Sequence, residues 1–449
     1  MIRYKTSNTF PKGGIHPPEY KLTQNVPIKP LPIPKSVMIP ISQHIGAVAA
    51  PVVAKGDYVK TGQLIASANG FVSSNIHSSV SGIVSKIDTI IDASGYRQNA
   101  IFIDVQGDEW VDSIDRSADV ISKIELAPEQ IIEKCKESGI VGLGGATFPS
   151  HVKLAVPKDK KCNTIIINGV ECEPYLTSDH RLMLEKGEEI LIGIAILMKA
   201  LDVEKAMVGI ESNKPDAVEH LKELAKRFPG ISIHSLTVKY PQGAEKQLIK
   251  TLTGREVPSG KLPIDVNAVV HNVATAYAVY EAVQKNKPLI ERVVTVTGKS
   301  LPAPGNYLVR IGSPVSSLIE AAGGLPDDTG KIVSGGPMMG KALQNTGVPA
   351  SKGMSGIVLF RASESTRVEK IACIRCAKCV TACPMNLEPH LLATLSMKAM
   401  FERAEDEKVT DCIECGSCSY TCPAGRPSLD YIRLGKSTVM KMIRERNIK

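Results

Sequence analysis

The sequence predicts a multidomain α/β protein with an all-β domain, an α/β domain, a small α+β module and a cysteine-rich region. Short alternating strands with glycine turns fill residues 36–108, and strands alternating with helices fill residues 120–290. Eight of the eleven cysteines lie between Cys373 and Cys422, in two runs of identical spacing. We therefore expect domains over residues 1–115, 116–290, 291–360 and 361–449.

The composition is that of a globular chain without affinity for nucleic acid. Hydrophobic residues make up 43% of the 449 residues, but aromatic residues only 4%, so the core must consist mainly of Ile, Val, Leu and Ala. The net charge of +8 is mild for this length and usually means solubility, although it also suits an acidic partner or an anionic lipid. Aromatic residues are not interleaved with Lys and Arg as in proteins that bind single strands.

Neither a secretory signal nor a membrane span is predicted. The start, MIRYKTSNTFPKGG, has no apolar stretch of the kind that signal peptides carry. The longest apolar run, ILIGIAILM at 190–198, falls short of the roughly 20 residues that a span needs, so it predicts a buried helix. We expect a chain held at a membrane, if at all, by partners, and cysteines that bind metal in a reducing compartment.

The first domain combines an extended segment with a β fold. Residues 1–35 are rich in Pro and Gly and predict a wrapping segment. The stretches 48–66 and 79–87 resemble the barrel-sandwich fold of biotinyl and lipoyl carriers. A carrier needs a lysine on its exposed hairpin, but SANGFVSSNIHS at 67–78 contains none. The domain is therefore expected to be a docking module.

The second domain is predicted to hold a largely parallel sheet, since apolar strands alternate with amphipathic helices. The predicted strands are 164–169, 206–211 and 231–238. The predicted helices are 126–138, 179–201, 214–227, 244–253 and 269–285. Residues 291–345 return to short strands around one helix, which indicates a small α+β module.

The two cysteine runs carry the strongest functional signal. CIRCAKCVTACP at 373–384 and CIECGSCSYTCP at 412–423 both follow C-x2-C-x2-C-x3-C-P, the pattern of bacterial ferredoxins with two [4Fe–4S] clusters. In that pattern the fourth cysteine of each run ligates the other cluster. One predicted ligand set is therefore Cys373, Cys376, Cys379 and Cys422. The other is Cys412, Cys415, Cys418 and Cys383.

A pair of zinc sites is the alternative to iron–sulfur clusters. Zinc takes four ligands, commonly from two separated C-x2-C pairs, and this does not account for a duplicated four-cysteine run that ends in Pro. The three other cysteines, Cys135, Cys162 and Cys172, follow no ligand spacing and are expected to be small buried hydrophobic residues.

GLGGATFPSHVK at 142–153 is a candidate anion-binding loop. Consecutive glycines let backbone N–H groups approach and point at an anion. The loop lacks the Gly-Lys-Ser/Thr ending of a P-loop and the Gly-x-Gly-x-x-Gly spacing of a dinucleotide fold. A mononucleotide with one terminal phosphate requires neither pattern.

Polar residues after three predicted apolar segments strengthen this interpretation. Ligands of open α/β sheets bind beyond the carboxyl ends of the strands. Asn168 suits the edge of a flavin or nicotinamide ring, and Glu171 and Glu173 could accept ribose hydroxyls. Glu245 opens a helix after another strand. Asn272 and Thr275 lie one helical turn apart. Taken singly, each of these is also explained as a helix cap or a solvated loop.

These segments together resemble the flavin-binding subunit, of the 51-kDa type, of respiratory NADH dehydrogenase. The resemblance rests on G-x-G-G-x-x-F-P with a following lysine and on N-G-x-E-x-E-P. With TFPKGGIHPPEYK at the front and the two cysteine runs at the back, essentially the whole chain resembles the C subunit of the Rnf electron transport complexes. The respiratory subunit has a single cluster with different cysteine spacing, so the electron exit differs here.

The resemblance implies a barrel-sandwich domain, a Rossmann-like FMN-binding α/β domain, an SLBB β-grasp module and a two-cluster ferredoxin domain. It implies that Gly142, Gly144, Gly145 and Lys153 hold the FMN phosphate and ring. Asn168 and Asn272 would hydrogen-bond the flavin, with Thr275 beside them. Glu171, Glu173 and Glu245 would lie near flavin or nucleotide. Among the aromatic residues that sandwich NADH in that family, only Phe148 is matched.

The implied function is that of a peripheral, cytoplasmic-face subunit of a ferredoxin:NAD+ oxidoreductase coupled to Na+ or H+ translocation. Hydride passes between NAD(H) and FMN, and single electrons pass through two [4Fe–4S] clusters, so no side chain need act as acid or base. The implied partners are membrane-embedded and ferredoxin-like subunits of the complex.

Two alternatives remain open from the sequence. One is a cobalamin reductase-like flavin and iron–sulfur enzyme, against which GGIHPPEYK favours the Rnf interpretation. The other is a non-catalytic electron-wiring subunit. The basic tail at 433–449 suits lipid or a partner protein, and equally a solvated helix end.

Overall fold

The structure, a computed structural model, describes residues 8–448, so the start of the predicted wrapping segment lies outside the described residues. From Asn8 to Lys35 the chain runs along other domains. Ile15 forms a β-bridge with Tyr240 of the α/β domain. The short strand β1 (Ile28–Pro30) pairs in parallel with a strand of the third module, Ile28 beside Asn306. The N-terminal segment therefore joins domains that are distant in sequence.

The first domain is all-β, as predicted, and consists of two small β-sheets. The strands are β2 (Ser36–Pro40), β3 (Ala50–Pro51), β4 (Tyr58–Val59), β5 (Leu64–Ser67), β6 (Ile76–His77), β7 (Gly82–Ile91) and β8 (Arg97–Val105). One sheet has the order β2-β8-β7-β4 and the other β3-β5-β6. Alternate residues point inward, so that Val37, Ile39, Ile101 and Ile103 are fully buried.

The second domain is a parallel sheet with helices, also as predicted. Its strands are β9 (Thr164–Asn168), β10 (Ala206–Glu211), β11 (Ile231–Leu236) and β12 (Ala268–Asn272). Its helices are α1 (Pro128–Glu137), α2 (Ser150–Leu154), α3 (Ser178–Glu185), α4 (Gly187–Ala200), α5 (Pro215–Ala225), α6 (Glu245–Thr253) and α7 (Val273–Gln284), with a 3-10 turn at Pro263–Val266. The order is β11-β10-β9-β12, and every pairing is parallel. The predicted apolar run 190–198 lies in buried helix α4.

Two predicted helices differ from the structure. The helix predicted over 179–201 is two helices, interrupted at Lys186, whose φ of −132° is not helical. The helix predicted over 269–285 starts as strand β12, because the buried stretch AVVHN completes the sheet beside β9. Asn272 then ends the strand and caps α7, since its side chain accepts a hydrogen bond from the backbone N–H of Ala274.

The third module is a six-stranded sheet with one packed helix. Its elements are β13 (Glu291–Gly298), β14 (Gly305–Arg310), α8 (Val315–Ala321), β15 (Thr329–Ser334), β16 (Lys341–Ala342) and β17 (Gly356–Arg361). The order is β1-β14-β13-β17-β15-β16, so the N-terminal strand forms one edge. Val315, Leu318 and Ile319 of α8 are buried at the i, i+3, i+4 spacing of one helix face.

The cysteine region is a set of short helices closed by one long one. They are α9 (Ala362–Ser365), α10 (Lys378–Ala382), α11 (Pro389–Met397), α12 (Phe401–Asp406), α13 (Ser417–Tyr420) and α14 (Ser428–Ile448), with a 3-10 turn at Val409–Asp411. Gly435 lets α14 approach α11, since a Cβ at this position would collide with Ser396. In the described part of the chain, no helix combines the length and apolar character needed to cross a membrane.

Candidate functional site

The glycine loop lies beside the start of α7. It is closed at its base by a β-bridge between Val141 and Pro149, and Gly142 donates its N–H to the carbonyl of Phe148 at 2.9 Å. Leu143 donates its N–H to Thr275 Oγ1 at 3.0 Å. The predicted residues Gly142, Phe148 and Thr275 therefore belong to one local structure, in which the α7 hydroxyl fixes the loop backbone.

The glycines of the loop have different surroundings. A Cβ on Gly144 would lie 2.9 Å from the Asn272 side chain, so close packing there requires glycine. A Cβ on Gly142 would make an ordinary contact, 3.6 Å from the Phe148 carbonyl. A Cβ on Gly145 would have no protein atom within 4 Å. Gly145 therefore borders open space where a ligand can approach the backbone.

Lys153 and Glu245 form an ion pair beside the glycine loop. Lys153 Nζ lies 2.9 Å from Glu245 Oε1 and donates to the Val270 carbonyl at 3.1 Å. Lys153 follows the loop on α2, and Glu245 is the first residue of α6. Both side chains are partly exposed, so the ammonium group can reach an incoming anion at modest cost.

The two predicted asparagines hold the strand ends together. Asn168 Nδ2 donates to the Gly243 carbonyl at 2.8 Å, and Asn168 Oδ1 accepts from the Val170 N–H at 3.1 Å. Asn272 Nδ2 donates to the Asn168 carbonyl at 3.2 Å and to Asp179 Oδ2 at 2.7 Å. The structure thus brings Asn168, Asn272 and the glycine loop together at the ends of β9 and β12.

Glu171 and Glu173 are placed differently from the asparagines. Glu171 caps α3, where its carboxylate accepts from the backbone N–H groups of Asp179 at 2.8 Å and His180 at 3.2 Å. The Glu173 carboxylate accepts from the N–H groups of Met338 at 3.0 Å and Met339 at 2.8 Å, in the third module. Burial raises the pKa of Glu173 to about 7. Both carboxylates have protein partners, and their contact with nucleotide stays a prediction.

Two charged residues of the site, buried Arg292 and partly buried Asp179, are not predicted from the sequence. Arg292 of β13 donates from Nη2 to the Leu143 carbonyl at 3.2 Å, and its Nε has no partner within residues 8–448. Burial lowers the pKa of Arg292 to about 10 and raises that of Asp179 to about 6. Asp179 belongs to the polar stretch 168–180 that follows β9. Arg292 lies in an ordinary strand pattern, which gives no signal.

The residues around the glycine loop fit FMN. Backbone N–H groups and Lys153 can meet a phosphate, and the space beside Gly145 is open. His271, at the end of β12, is fully buried with both ring nitrogens unpartnered in the described part of the chain. Buried polar atoms without partners are rare in native proteins and call for an explanation such as a ligand or bound water.

The second cysteine run encloses a cavity together with one cysteine of the first run. The cavity is lined by Cys412, Cys415 and Cys418, and also by Cys383. Burial and the neighbouring thiols raise the pKa of Cys412 to about 11 and that of Cys418 to about 12. Among the first-run cysteines, the pKa of Cys379 is raised by burial and by its neighbour Cys422. Cys383 thus lies with the cysteines of the second run, and Cys422 lies near Cys379 of the first run. Both positions support the prediction that the fourth cysteine of each run ligates the other cluster.

Both runs fold in the same way around their cysteines. Positive φ angles occur at matched positions, 55° at Arg375 and 57° at Ala377 in the first run. In the second run they are 56° at Glu414 and 79° at Gly416. Such left-handed residues turn successive N–H groups inward, as in iron–sulfur loops. The Glu414 N–H accordingly points at the Cys412 sulfur, 3.4 Å away.

The ligand arrangement that a [4Fe–4S] cluster needs differs from that of a single metal ion. Within residues 8–448, no three His, Cys, Asp or Glu side chains are grouped so as to hold one metal ion. A cubane makes a different demand, because each of its four irons takes one thiolate and the four sulfurs surround the cluster. Of the other cysteines, Cys135 and Cys162 are buried as expected, and Cys172 is partly buried.

The second run packs on the α/β domain, and the end of the first run, at Ala382 and Pro384, contacts that domain and the N-terminal segment. Tyr240 donates its hydroxyl to the Cys415 carbonyl at 2.8 Å, and Gln247 of α6 donates to the Pro384 carbonyl at 3.0 Å. The N-terminal segment adds Gly14, whose N–H donates to the Ala382 carbonyl at 2.9 Å. The cavity of Cys383, Cys412, Cys415 and Cys418 therefore borders the domain that carries the glycine loop.

Four family models match successive parts of the chain. They are the RnfC barrel sandwich hybrid domain over residues 9–108, the Nuo51 FMN-binding domain over 135–281, the SLBB domain over 293–342 and the 4Fe-4S dicluster domain over 365–423. These matches confirm the predicted fold class. They also confirm the predicted cofactors, FMN and two [4Fe–4S] clusters.

Curated relatives are similar over almost the whole chain. The chain is 49% identical over 431 residues to the C subunit of the proton-translocating ferredoxin:NAD(+) oxidoreductase complex of Clostridium ljungdahlii, covering 95% of this chain and 93% of the relative. It is 44% identical over 438 residues to the C subunit of the Na(+)-translocating ferredoxin:NAD(+) oxidoreductase complex of Acetobacterium woodii, covering 97% and 98%. A chain of an NAD+-reducing [NiFe]-hydrogenase, 18% identical, shares the fold over 70% of this chain and 63% of its own, with a TM-score of 0.50.

Proposed function

The chain belongs to the family formed by the C subunits of the ion-translocating ferredoxin:NAD+ oxidoreductase complexes, and we propose on this basis that it exchanges electrons between NAD(H) and the complex. The observation that carries the proposal is the direct packing of one cysteine centre on the domain with the glycine loop, through Tyr240 and Cys415. A hydride acceptor and a one-electron centre must lie close together for such an exchange.

The glycine loop is the proposed FMN site. Backbone N–H groups of Gly144 and Gly145, with the ammonium of Lys153, would bind the phosphate. Gly142 would shape the loop instead of binding the phosphate, because its N–H donates to the Phe148 carbonyl. Asn168 and Asn272 would hold the ring edge, and Phe148 lies on the loop where nicotinamide would approach. When bound, FMN supplies two-electron exchange with NAD(H) and one-electron exchange with the clusters. The protein supplies position and charge, and no side chain need act as acid or base.

The two centres would act in series. The centre of Cys383, Cys412, Cys415 and Cys418 lies against the α/β domain, which suits exchange with the flavin. Cys373 and Cys376 of the other centre are exposed, which suits exchange with a partner. We place the chain peripherally on the cytoplasmic face of the membrane, bound to other subunits of the complex, which would carry the Na+ or H+ translocation.

Flavin bleaching by NADH tests the proposal. The protein is purified anaerobically, reconstituted with FMN and iron–sulfur clusters, and mixed with NADH while the flavin absorbance is recorded. The proposal expects bleaching, followed by loss of cluster absorbance. Absence of bleaching at millimolar NADH would contradict it and favour a subunit that only conducts electrons.

A further inference from the structure

The two cysteine runs have the same spacing but opposite charge. Residues 366–382, around the first run, contain four cations and a single carboxylate, Glu369. The cations are Arg367, Lys370, Arg375 and Lys378. The equivalent residues 405–421, around the second run, contain five carboxylates and a single cation, Lys408. Identical ligand spacing with reversed charge indicates that the surroundings of the two runs serve different contacts.

Matched positions in the two runs differ in exposure. Ile413 packs with Cys415 and Tyr240 against the α/β domain. Its equivalent, Ile374, is 60% exposed. Ser417 is fully buried, whereas its equivalent Lys378 is exposed. The face that the second run uses to dock inside the molecule is therefore uncovered in the first run.

The charged side chains at matched positions also differ, since within residues 8–448 those of the second run are paired and those of the first run are not. Glu414 pairs with Arg433 at 3.1 Å and Lys436 at 3.0 Å, both on α14. Arg375, which occupies the equivalent position, has no ion-pair partner among residues 8–448, and neither has Lys378. The second run pairs its charge within the chain, whereas the first leaves these two cations free at the surface.

Exposed apolar side chains complete the uncovered face. Val368 is 75% exposed and Ile371 is 51% exposed, and both precede Ile374 on the same irregular segment. Apolar side chains with a rim of cations are typical of protein contact sites rather than of free surface.

We propose that the surface formed by Val368, Ile371, Ile374, Arg375 and Lys378, here the first-run face, docks an acidic iron–sulfur electron carrier. The partner would seat against Ile374 as the α/β domain seats against Ile413, with its carboxylates meeting Arg375 and Lys378. The redox role of the partner rests on the proposed function. The docking contact itself is inferred from the exposure and charge of the first-run face. Unpaired surface cations steer an acidic partner and make its association depend on salt.

Charge reversal on the first-run face tests this assignment. The variant Arg375→Glu/Lys378→Glu is suited to it, because Glu414 already occupies the equivalent of position 375 with a φ of 56°. Glutamate therefore fits the backbone there. The matched control is Lys158→Glu/Lys161→Glu, two exposed lysines of the α/β domain with the same change in charge. The variant Ile374→Ser removes the apolar contact without changing charge.

The probe is a purified acidic ferredoxin with two [4Fe–4S] clusters, and its binding to the cluster-loaded chain is measured by biolayer interferometry at low and high salt. We expect the double reversal to raise Kd by about tenfold or more at low salt and the control to change it by about twofold or less. Ile374→Ser should weaken binding at both salt concentrations. Equal weakening by the control, unchanged binding of the double variant, or no binding by the unmodified chain would each overturn the proposal.

Iron content and NADH-driven flavin bleaching of every variant are measured alongside. Both should equal those of the unmodified chain, because the substitutions change exposed side chains, whereas the cysteines and the loop backbone that would hold the cluster stay the same. If the unmodified chain fails to bleach, the proposed function fails, while the binding data still decide the docking face.

Discussion

The hydroxyl of Tyr240 donates a hydrogen bond to the carbonyl of Cys415 at 2.8 Å, and both residues are buried. Tyr240 lies in the connection after β11, and Cys415 is a predicted cluster ligand. This bond joins the domain of the candidate flavin site to a candidate cluster through one side chain. Ile15 of the N-terminal segment forms its β-bridge with the same tyrosine, so three parts of the chain meet there.

Tyr240→Phe should loosen the contact between the cysteine region and the α/β domain. The ring still packs, but the buried Cys415 carbonyl loses its partner, at a cost of about 1–3 kcal/mol. We expect the cysteine region to be released at a lower urea concentration than in the unmodified chain. The release is monitored by the absorbance of the clusters. The control is Tyr307→Phe, whose hydroxyl bonds carbonyls within the third module. If Tyr307→Phe lowers the urea concentration at which the clusters are released and Tyr240→Phe does not, this role of Tyr240 is refuted.

Gly145→Ala should block the flavin and leave the fold intact. A Cβ there meets no protein atom within 4 Å, so the melting temperature of the apoprotein should not change. The same methyl group would occupy the space next to the backbone that the phosphate or ring needs. We expect FMN affinity, measured by quenching of flavin fluorescence, to fall about tenfold or more. Unchanged affinity would place the flavin elsewhere.

Lys153→Gln should weaken binding of FMN more than that of riboflavin. The ammonium lies beside Glu245 at the loop and is the predicted partner of the phosphate. A charge-assisted bond to phosphate contributes about 1.5–3 kcal/mol, so Kd for FMN should rise by roughly tenfold to a hundredfold. Lys246→Gln, on the same helix as Glu245, serves as control. Equal losses for FMN and riboflavin would show that Lys153 does not contact phosphate.

Glu173 should make the stability of the protein depend on pH. Burial raises its pKa from the ordinary 4.5 to about 7, so between these values the folded chain keeps a proton that the unfolded chain has lost. The proton on Glu173 therefore contributes to the free energy of unfolding. This contribution is fully present below pH 4.5, decreases as the pH rises toward 7 and does not change further above pH 7. Glu173→Gln stays neutral and should lack that fall, which amounts to up to about 3 kcal/mol.

The measurement is the free energy of unfolding in urea for both proteins between pH 5 and pH 8. The difference between Glu173→Gln and the unmodified chain should grow with pH in favour of the variant. Parallel profiles would mean that Glu173 titrates in the folded chain as it does in the unfolded one.

Local patterns predicted much of this molecule. The cysteine spacing is set by the geometry of a cluster, and the alternation of apolar strands and helices reflects burial, so both can be read from adjacent residues. The glycine loop and its lysine also follow one another in sequence. Residues 269–272 were predicted wrongly, because a short buried apolar stretch is compatible with a helix or a strand.

Contacts between residues that are distant in sequence could not be predicted from such patterns. Arg292 reaches the Leu143 carbonyl across 149 positions of the chain, and nothing in its own strand indicates this. Glu171 follows a strand end like a ligand-binding residue, yet the backbone places its carboxylate on the N-terminus of α3. The position of either side chain depends on how domains pack, which periodicity does not encode.

One chain should hold one FMN and two [4Fe–4S] clusters, and every electron-transfer step proposed above depends on that content. Flavin, iron and sulfide analysis of protein purified anaerobically measures it most directly. We predict about one FMN, about eight irons and about eight sulfides per chain. About four irons, or FAD in place of FMN, would contradict this prediction.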